Sequence, residues 1–443
     1  MPQSFVDREQ PPEKAGVIVP WTQYGNRPGD NRMQETQGLV QALGCELEFI
    51  RSDNVRKPTA GYLLSGGLLE RLGEDVQSNG CSIVVIDSAL TPVQQRNLEK
   101  RLGVKVIDRT GLILEIFGLR ALTNEGRLQV ELARLLYERS RLVRTWTHLE
   151  RQRGGSGFLG GPGETQLEAD KRMLDRALAR LKSDLEDVRK TRRVQREGRK
   201  RRDTPVVALV GYTNAGKSSL FNRLTGADVM AKDMPFATLD TTIRKLALPK
   251  LGKVNLVDTV GFISDLPTHL VDSFRATLEE ALEADLLIHV RDRSSEVDEQ
   301  QKQDVLEVLD RLAELAGAEL PPIIEAWNKF DLLSDEAQAL LMHDAGRSSG
   351  PPAVPVSAIT GQGIDDLSAL IEHNLQGRRA RLRANLSNRD GALRAWLHEN
   401  ALVEEESFED NGDAVLIVII EETDWGRLVS QFPGAAASQF QTL

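Results

Sequence analysis

Val206-Val207-Ala208-Leu209-Val210 runs straight into Gly211-Tyr212-Thr213-Asn214-Ala215-Gly216-Lys217-Ser218, followed by Ser219-Leu220-Phe221-Asn222-Arg223-Leu224. The unbroken aliphatic run predicts a buried strand, and the segment beyond Ser219 predicts a helix. Between them stands GxxxxGKS, in the strand–loop–helix setting that a phosphate-cradling loop needs. Glycines let main-chain N–H groups turn inward around phosphates, and the helix N-terminus adds partial positive charge. Lys217 is expected to neutralise the outer phosphates and the Ser218 hydroxyl to ligate Mg2+.

Further motifs follow in order, and together they place a nucleotide site between about Val206 and Gln376. Asn328-Lys329-Phe330-Asp331 succeeds the strand-like Pro322–Trp327. A carboxylate at Asp331 can accept from guanine N1–H and from the exocyclic amine. Adenine has no such donor pair, so it would leave that carboxylate unpaired. Asn328 would brace the loops, and the Lys329 stem would cover the base. Ser357-Ala358-Ile359 follows another strand, and a main-chain N–H there could reach guanine O6. The expected nucleotide is therefore GTP, with GDP as product.

Asp258-Thr259-Val260-Gly261 lies between these motifs. Asp258 would hold Mg2+ through water, and the Gly261 N–H would meet the γ-phosphate. Upstream, Phe236-Ala237-Thr238-Leu239-Asp240-Thr241-Thr242 is the candidate switch segment. Thr238 is the expected second Mg2+ hydroxyl, with Thr241 and Thr242 as rivals. Lys217, Thr238 and Gly261 are the candidate catalytic positions. Phe262 stands where Ras-like enzymes carry a water-orienting glutamine, so slow hydrolysis by the isolated chain is expected.

The remaining sequence frames this site. The chain has 443 residues, 40% hydrophobic and 28% charged, which excludes a disordered protein and suggests three or so domains. Cys45 and Cys81 are expected to be isolated buried thiols, and the six scattered histidines offer no metal-ligand spacing. No signal peptide and no membrane span is legible, so a cytoplasmic protein is expected. Residues 15–112 alternate strand-like runs (Val17–Val19, Glu46–Ile50, Ile83–Ile86, Val104–Ile107) with helical runs (Gln34–Leu43, Leu68–Val76, Pro92–Leu102). Thr91 caps the last helix, and Pro92 stands at its first position. Leu128, Leu132, Leu135, Leu142, Trp146 and Leu149 keep helical spacing, as do Leu174, Leu178, Leu181, Leu185 and Val188. That pattern predicts an antiparallel helical hairpin, with a capping box Thr165-Gln166-Leu167-Glu168 opening its second helix. The expected fold class is α/β, divided as an N-terminal α/β domain (1–118), the hairpin (119–203), a P-loop GTPase domain (204–377) and a small C-terminal α+β domain (378–443).

Charge is unevenly spread. The whole chain carries −10, yet residues 139–202 hold 19 Lys/Arg against 9 Asp/Glu. Such a basic middle suits a polyanion, and RNA is favoured over a membrane because the aliphatic helix faces are needed for their own seam. The candidate RNA contacts are Arg153, Gly154, Gly155, Gly161, Pro162 and Gly163 in the glycine-rich hairpin loop, and Arg192, Arg193, Arg199, Lys200, Arg201 and Arg202 in the basic run. The residues alone leave two main readings open, a GTP-hydrolysing enzyme or a GTP-gated RNA-binding clamp whose turnover has no role; a third, a GTPase that helps modify transfer RNA, is disfavoured because no modification chemistry is legible near the C-terminus.

With these motifs in place, the sequence resembles the HflX family of translation-associated GTPases. The resemblance is carried by stretches such as Val106–Phe117, Gly126–Leu135, Gly161-Pro162-Gly163-Glu164-Thr165-Gln166-Leu167-Glu168, Phe236–Thr242 and Leu256–Pro267. It implies binding to the large ribosomal subunit, with the hairpin loop aimed at the peptidyl transferase region of its RNA. It also implies GTP-dependent splitting or rescue of stalled ribosomes under stress, with hydrolysis stimulated by the ribosome. Phe262 fits the family pattern. Tyr62–Leu72 departs from it, lacking the usual Gly-x-Gly-Lys segment, which speaks against a second nucleotide site in the N-terminal domain. The hairpin loop also lacks the arginine often found before Gly-Pro-Gly-Glu. A monomer is expected.

Overall fold

Aliphatic runs near the N-terminus pair side by side in the computed structural model, which describes residues 12–22, 29–152, 162–200, 204–227, 234–239, 241–249, 251–264, 281–345, 350–376, 379–409, 412–433 and 439–442. Strands β1 (Lys14–Trp21), β2 (Glu46–Asn54), β3 (Ile83–Ile86) and β4 (Lys105–Asp108) form one parallel sheet in the order β2-β1-β3-β4. Parallel neighbours need crossovers. Helices α1 (Asp30–Ala42), α2 (Gly66–Asn79) and α3 (Pro92–Leu102) supply them. The cap expected at Thr91 is present: its hydroxyl accepts from Gln94 N at 3.2 Å, and the Gln94 side chain accepts from Thr91 N at 2.9 Å.

Helix α4 (Arg109–Arg120) was not legible as an element. Its sequence is apolar nearly all round, with Leu112, Ile113, Leu114, Ile116 and Phe117 all buried, so no amphipathic period marks it. Asp108 begins it by accepting from Gly111 N at 2.7 Å. Helices α5 (Asn124–Gln152) and α6 (Pro162–Lys200) form the expected hairpin, packed through Leu132, Leu178, Leu181 and Leu185. Each such leucine contributes roughly 1.5–3 kcal/mol by burial. The capping box expected at Thr165 is corrected, because α6 already starts at Pro162. Proline pre-sets the helical φ at a first position, which puts Thr165 inside the first turn.

The next sheet has the order β10-β9-β8-β5-β7-β6. It comprises β5 (Val206–Val210), β6 (Thr242–Leu248), β7 (Gly252–Asp258), β8 (Leu286–Asp292), β9 (Ile323–Asn328) and β10 (Ala353–Pro355), all parallel except the β6–β7 pair. Helices α7 (Lys217–Thr225), α8 (Asp298–Ala316), α9 (Asp335–Ala345) and α10 (Ile364–Gln376) accompany it. Strands β5, β7 and β8 are buried on both faces, as a parallel sheet covered by helices requires. The C-terminal part is an antiparallel sheet β12-β13-β11-β14, from β11 (Arg379–Leu386), β12 (Leu402–Phe408), β13 (Ala414–Glu421) and β14 (Phe440–Thr442), with α11 (Gly391–Asn400) and α12 (Glu422–Gln431).

One hydrophobic core joins the N-terminal sheet to the central one. Val40, Ile113 and Phe117 from the first cluster with Tyr212, Phe236, Leu239 and Phe262 from the second. Phe117 and Phe236 meet edge to face, with ring centroids 4.6 Å apart.

Candidate functional site

Strand β5 delivers Gly211 to the C-terminal edge of the sheet, where open α/β folds keep their ligand crevice. Gly211 (φ 148°) and Gly216 (φ 91°) hold conformations that side chains disfavour. A Cβ on Gly211 would overlap the Val290 carbonyl, and one on Gly216 would overlap the Asn328 amide. The loop therefore curls over a cavity of about 370 Å³.

Most of the residues expected at the site line that cavity. Thr213, Asn214, Gly216, Lys217, Ser218 and Ser219 come from the loop and from α7. Phe236, Ala237 and Thr238 come from the segment before β6, and Thr259 and Gly261 from the loop after β7. Asn328, Lys329, Asp331, Ala358 and Ile359 close the far end. Others lie just behind the lining. Gly211 and Tyr212 accept from the Lys217 ammonium through their carbonyls, at 3.1 and 2.8 Å. Ala215 accepts from Asn328 Nδ2 at 2.8 Å. Leu239 and Val260 are core residues, and Ser357 is fully buried. Asp240 lies outside the described residues. Met234 and Leu332 line the cavity although sequence reasoning passed over them. Leu332 is 65% exposed, and the signal that could have found it is an apolar residue placed directly after Asn328–Asp331.

Three hard oxygens converge at the centre. Ser218 Oγ donates to Asp258 Oδ2 at 2.8 Å, Thr238 Oγ1 donates to the same oxygen at 2.9 Å, and the two hydroxyls lie 2.8 Å apart. The second Asp258 oxygen, Oδ1, is buried with no hydrogen-bond partner. Two hydroxyls and an under-satisfied carboxylate make a donor set that fits a hard divalent cation such as Mg2+. Of the three rival threonines, Thr238 joins this cluster. Thr242 is the first residue of β6, opposite Asp258 in the ladder, and Thr241 directly precedes that strand.

Burial displaces both charged groups of the centre. The Lys217 ammonium is pushed down to about 8 by loss of solvent, which the nearby Asp258 charge only partly opposes. Burial raises the Asp258 carboxyl, against the opposing pull of Lys217, Ser218 and Thr238. Each group is thus poised for a counter-charge. At the other end, Asn328 Oδ1 accepts from Ala358 N at 3.1 Å, so one side chain ties the phosphate loop to the 357–359 loop. Lys329 adopts φ 60° and pairs with Asp292 at 2.8 Å.

Phe262 is 2% exposed and packs into the shared core, directed away from solvent. The outer side of the loop is gripped by the N-terminal part. The Tyr212 hydroxyl donates to Glu35 and accepts from Ser264 N at 2.7 Å. Arg109 bonds Glu35, Asp87 Oδ1 at 2.7 Å and the Ser264 carbonyl at 3.0 Å. Burial and the Glu35 carboxylate hold the Tyr212 phenol far above its usual range.

Of the candidate RNA contacts, Arg153, Gly154, Gly155, Gly161, Arg201 and Arg202 lie outside the described residues. Pro162, Gly163, Arg192, Arg193, Arg199 and Lys200 belong to α6, but their side chains are likewise outside them. Among the described residues, no helix is long and apolar enough to cross a membrane.

A phosphate loop between strand and helix, an aspartate–hydroxyl cation centre and a braced Asn-Lys-x-Asp loop define a P-loop GTPase. Comparison with known proteins narrows the class. Residues 30–118 match the GTP-binding GTPase N-terminal region, and 120–199 the GTP-binding GTPase middle region. Residues 206–329 match the family described as 50S ribosome-binding GTPase, and 342–435 the HflX C-terminal domain. GTPase HflX of Escherichia coli (strain K12) is 43% identical over 401 residues, covering 90% of this chain and 92% of the relative. GTPase HflX of Magnetococcus marinus is 42% identical, covering 96% of each. A GTP-binding protein from Sulfolobus solfataricus, solved with GDP, is 25% identical with a TM-score of 0.45, covering 82% of this chain and 99% of that one. The chain belongs to the HflX family of GTPases and is a GTP-hydrolysing enzyme.

Proposed function

We propose that this GTPase binds the large ribosomal subunit and couples GTP binding and hydrolysis to splitting or rescue of stalled ribosomes under stress, in the cytoplasm. The observation that carries the reading is the union of two parts in one chain. A long helical pair, basic in sequence and joined by a glycine-rich stretch, precedes in the chain a nucleotide domain whose family is described as 50S ribosome-binding. The basic run supports phosphate contacts that are salt-sensitive and largely independent of sequence.

Within the site, Lys217 leaves the Gly211 and Tyr212 carbonyls and pairs with the β- and γ-phosphates, which restores its proton affinity. Ser218 and Thr238, through their hydroxyl oxygens, and Asp258, through water, are the residues that would hold Mg2+. When bound, that ion supplies charge to the developing phosphate oxygens. The Gly261 N–H meets the γ-phosphate. Asp331 accepts from guanine N1–H and the 2-amine, and the Lys329 stem and Leu332 cover the base. Phe262 cannot orient the attacking water, so the isolated chain turns over slowly. Contact with the ribosome accelerates hydrolysis on the order of 10³–10⁵-fold.

Cosedimentation with large subunits in GDP, GTP and a non-hydrolysable analogue, paired with a turnover assay, tests this. Binding in the two triphosphate states and subunit-stimulated hydrolysis are expected. Equal binding in all three states with unstimulated turnover would contradict it.

A further inference from the structure

Arg223 stands near the C-terminal end of α7, the helix whose first residues are Lys217 and Ser218. Its guanidinium crosses to the 357–362 loop and donates through Nη2 to the Ile359 carbonyl at 2.6 Å. It also lies flat against Gly361. A Cβ built there would meet Nη2 at 2.9 Å, Cζ at 3.2 Å and Nε at 3.3 Å. Gly361 has φ 92°, so the close approach and the left-handed turn both require a glycine.

That loop is a tight ring. Gly361 N donates to Ser357 O at 2.8 Å, Ser357 N to Gln362 O at 2.9 Å, and Thr360 N to Ser357 Oγ at 3.0 Å. The Asn328 carboxamide holds it from the buried side, where it occupies the Ala358 N–H. On the solvent side Ile359 is 74% exposed and belongs to neither of the hydrophobic clusters that flank the loop. The cross-link on that side comes from Arg223.

We propose that Arg223 is a positioning residue for guanine recognition: by holding the Ile359 carbonyl, it fixes the adjoining Ala358–Ile359 peptide, whose N–H meets guanine O6. One helix then serves both ends of the nucleotide, with Lys217 and Ser218 at the phosphates and Arg223 behind the base. This rests on the guanine-reading role proposed for the site. It goes beyond that role by naming a residue that touches neither base nor phosphate.

The test uses affinities of the full chain for GDP, 6-thio-GDP and IDP. The sulfur of 6-thio-GDP is a poor acceptor at the O6 position, whereas IDP lacks only the 2-amine that faces Asp331. Arg223→Ala is expected to weaken GDP about three- to tenfold, the range of one charge-assisted hydrogen bond at an exposed site. The preference for GDP over 6-thio-GDP should fall by the same factor, while the preference for GDP over IDP stays unchanged. Arg223→Lys should restore most of the lost preference. Arg223→Gln, a good helix former, is measured alongside and carries the same expectation as the alanine variant. Equal weakening of all three nucleotides, or no weakening, overturns the assignment. Failure of the guanine-reading site itself is separable, because Asp331→Asn would then leave xanthine nucleotides no better bound than before.

Discussion

Arg109 offers the sharpest test of how the N-terminal part is joined to the nucleotide domain. Arg109 is 4% exposed, and its guanidinium bonds Asp87, Glu35 and the Ser264 carbonyl. Arg109→Met keeps the bulk and removes every one of these bonds. The buried Asp87 and the half-buried Glu35 then lose a compensating charge, a loss that costs about 3–5 kcal/mol in buried pairs. Asp87 keeps Arg32, whose Nε lies 2.6 Å from its Oδ2, so the lower end, ~3 kcal/mol, applies. At roughly 2–4 °C per kcal/mol for a unit of this size class, the melting temperature of the nucleotide-free protein should fall by about 6–12 °C. Differential scanning calorimetry reads this directly. The double variant Arg109→Met/Glu35→Met replaces an ion pair by apolar bulk and should recover part of the loss. GDP should also dissociate several-fold faster from Arg109→Met, because Ser264, three residues beyond Gly261, loses one of its tethers. A melting shift under about 2 °C with an unchanged dissociation rate would refute this reasoning.

Further outcomes are expected at three other residues. Lys217→Ala should abolish tight nucleotide binding. The pH behaviour of the native lysine has a definite sign: the folded group releases its proton near pH 8 and the unfolded one near 10.5, so the nucleotide-free protein should gain stability between those values. Nucleotide affinity should weaken above pH 8 as binding comes to require proton uptake, and urea melts of wild type and Lys217→Met across pH 7–10 check the stability half. Asp331→Asn should shift preference from guanine to xanthine nucleotides, measured by competition against fluorescent GDP. Phe262→Gln should not create a fast enzyme: it should lose about 2–4 kcal/mol by burying an unpaired amide in the shared core, without raising single-turnover GTP hydrolysis.

Much of the site was legible in the sequence because its parts are local. A phosphate loop needs contiguous glycines, a lysine and a serine at set positions, and Asn328–Asp331 and Ser357–Ile359 each sit at a strand end. The α/β class and the hairpin were legible for the same reason, through short-range periodicity. What escaped depends on contacts far apart in the chain. Helix α4 is buried on nearly all sides and so lacks a polar face to reveal it. The Glu35–Tyr212 bond joins residues 177 positions apart, and Arg109–Ser264 joins residues 155 apart. No local pattern encodes such pairs. The expected helix start at Thr165 also missed, because the helix begins at Pro162, whose fixed φ suits a first helical position.

Isothermal titration of the folded, purified chain with GTP and then ATP, in the presence of magnesium, tests the central claim most directly. Saturable heat at one site with GTP, lost in Lys217→Ala and absent with ATP, is the expected result. No heat with GTP, or the same isotherm with ATP, would contradict the whole account.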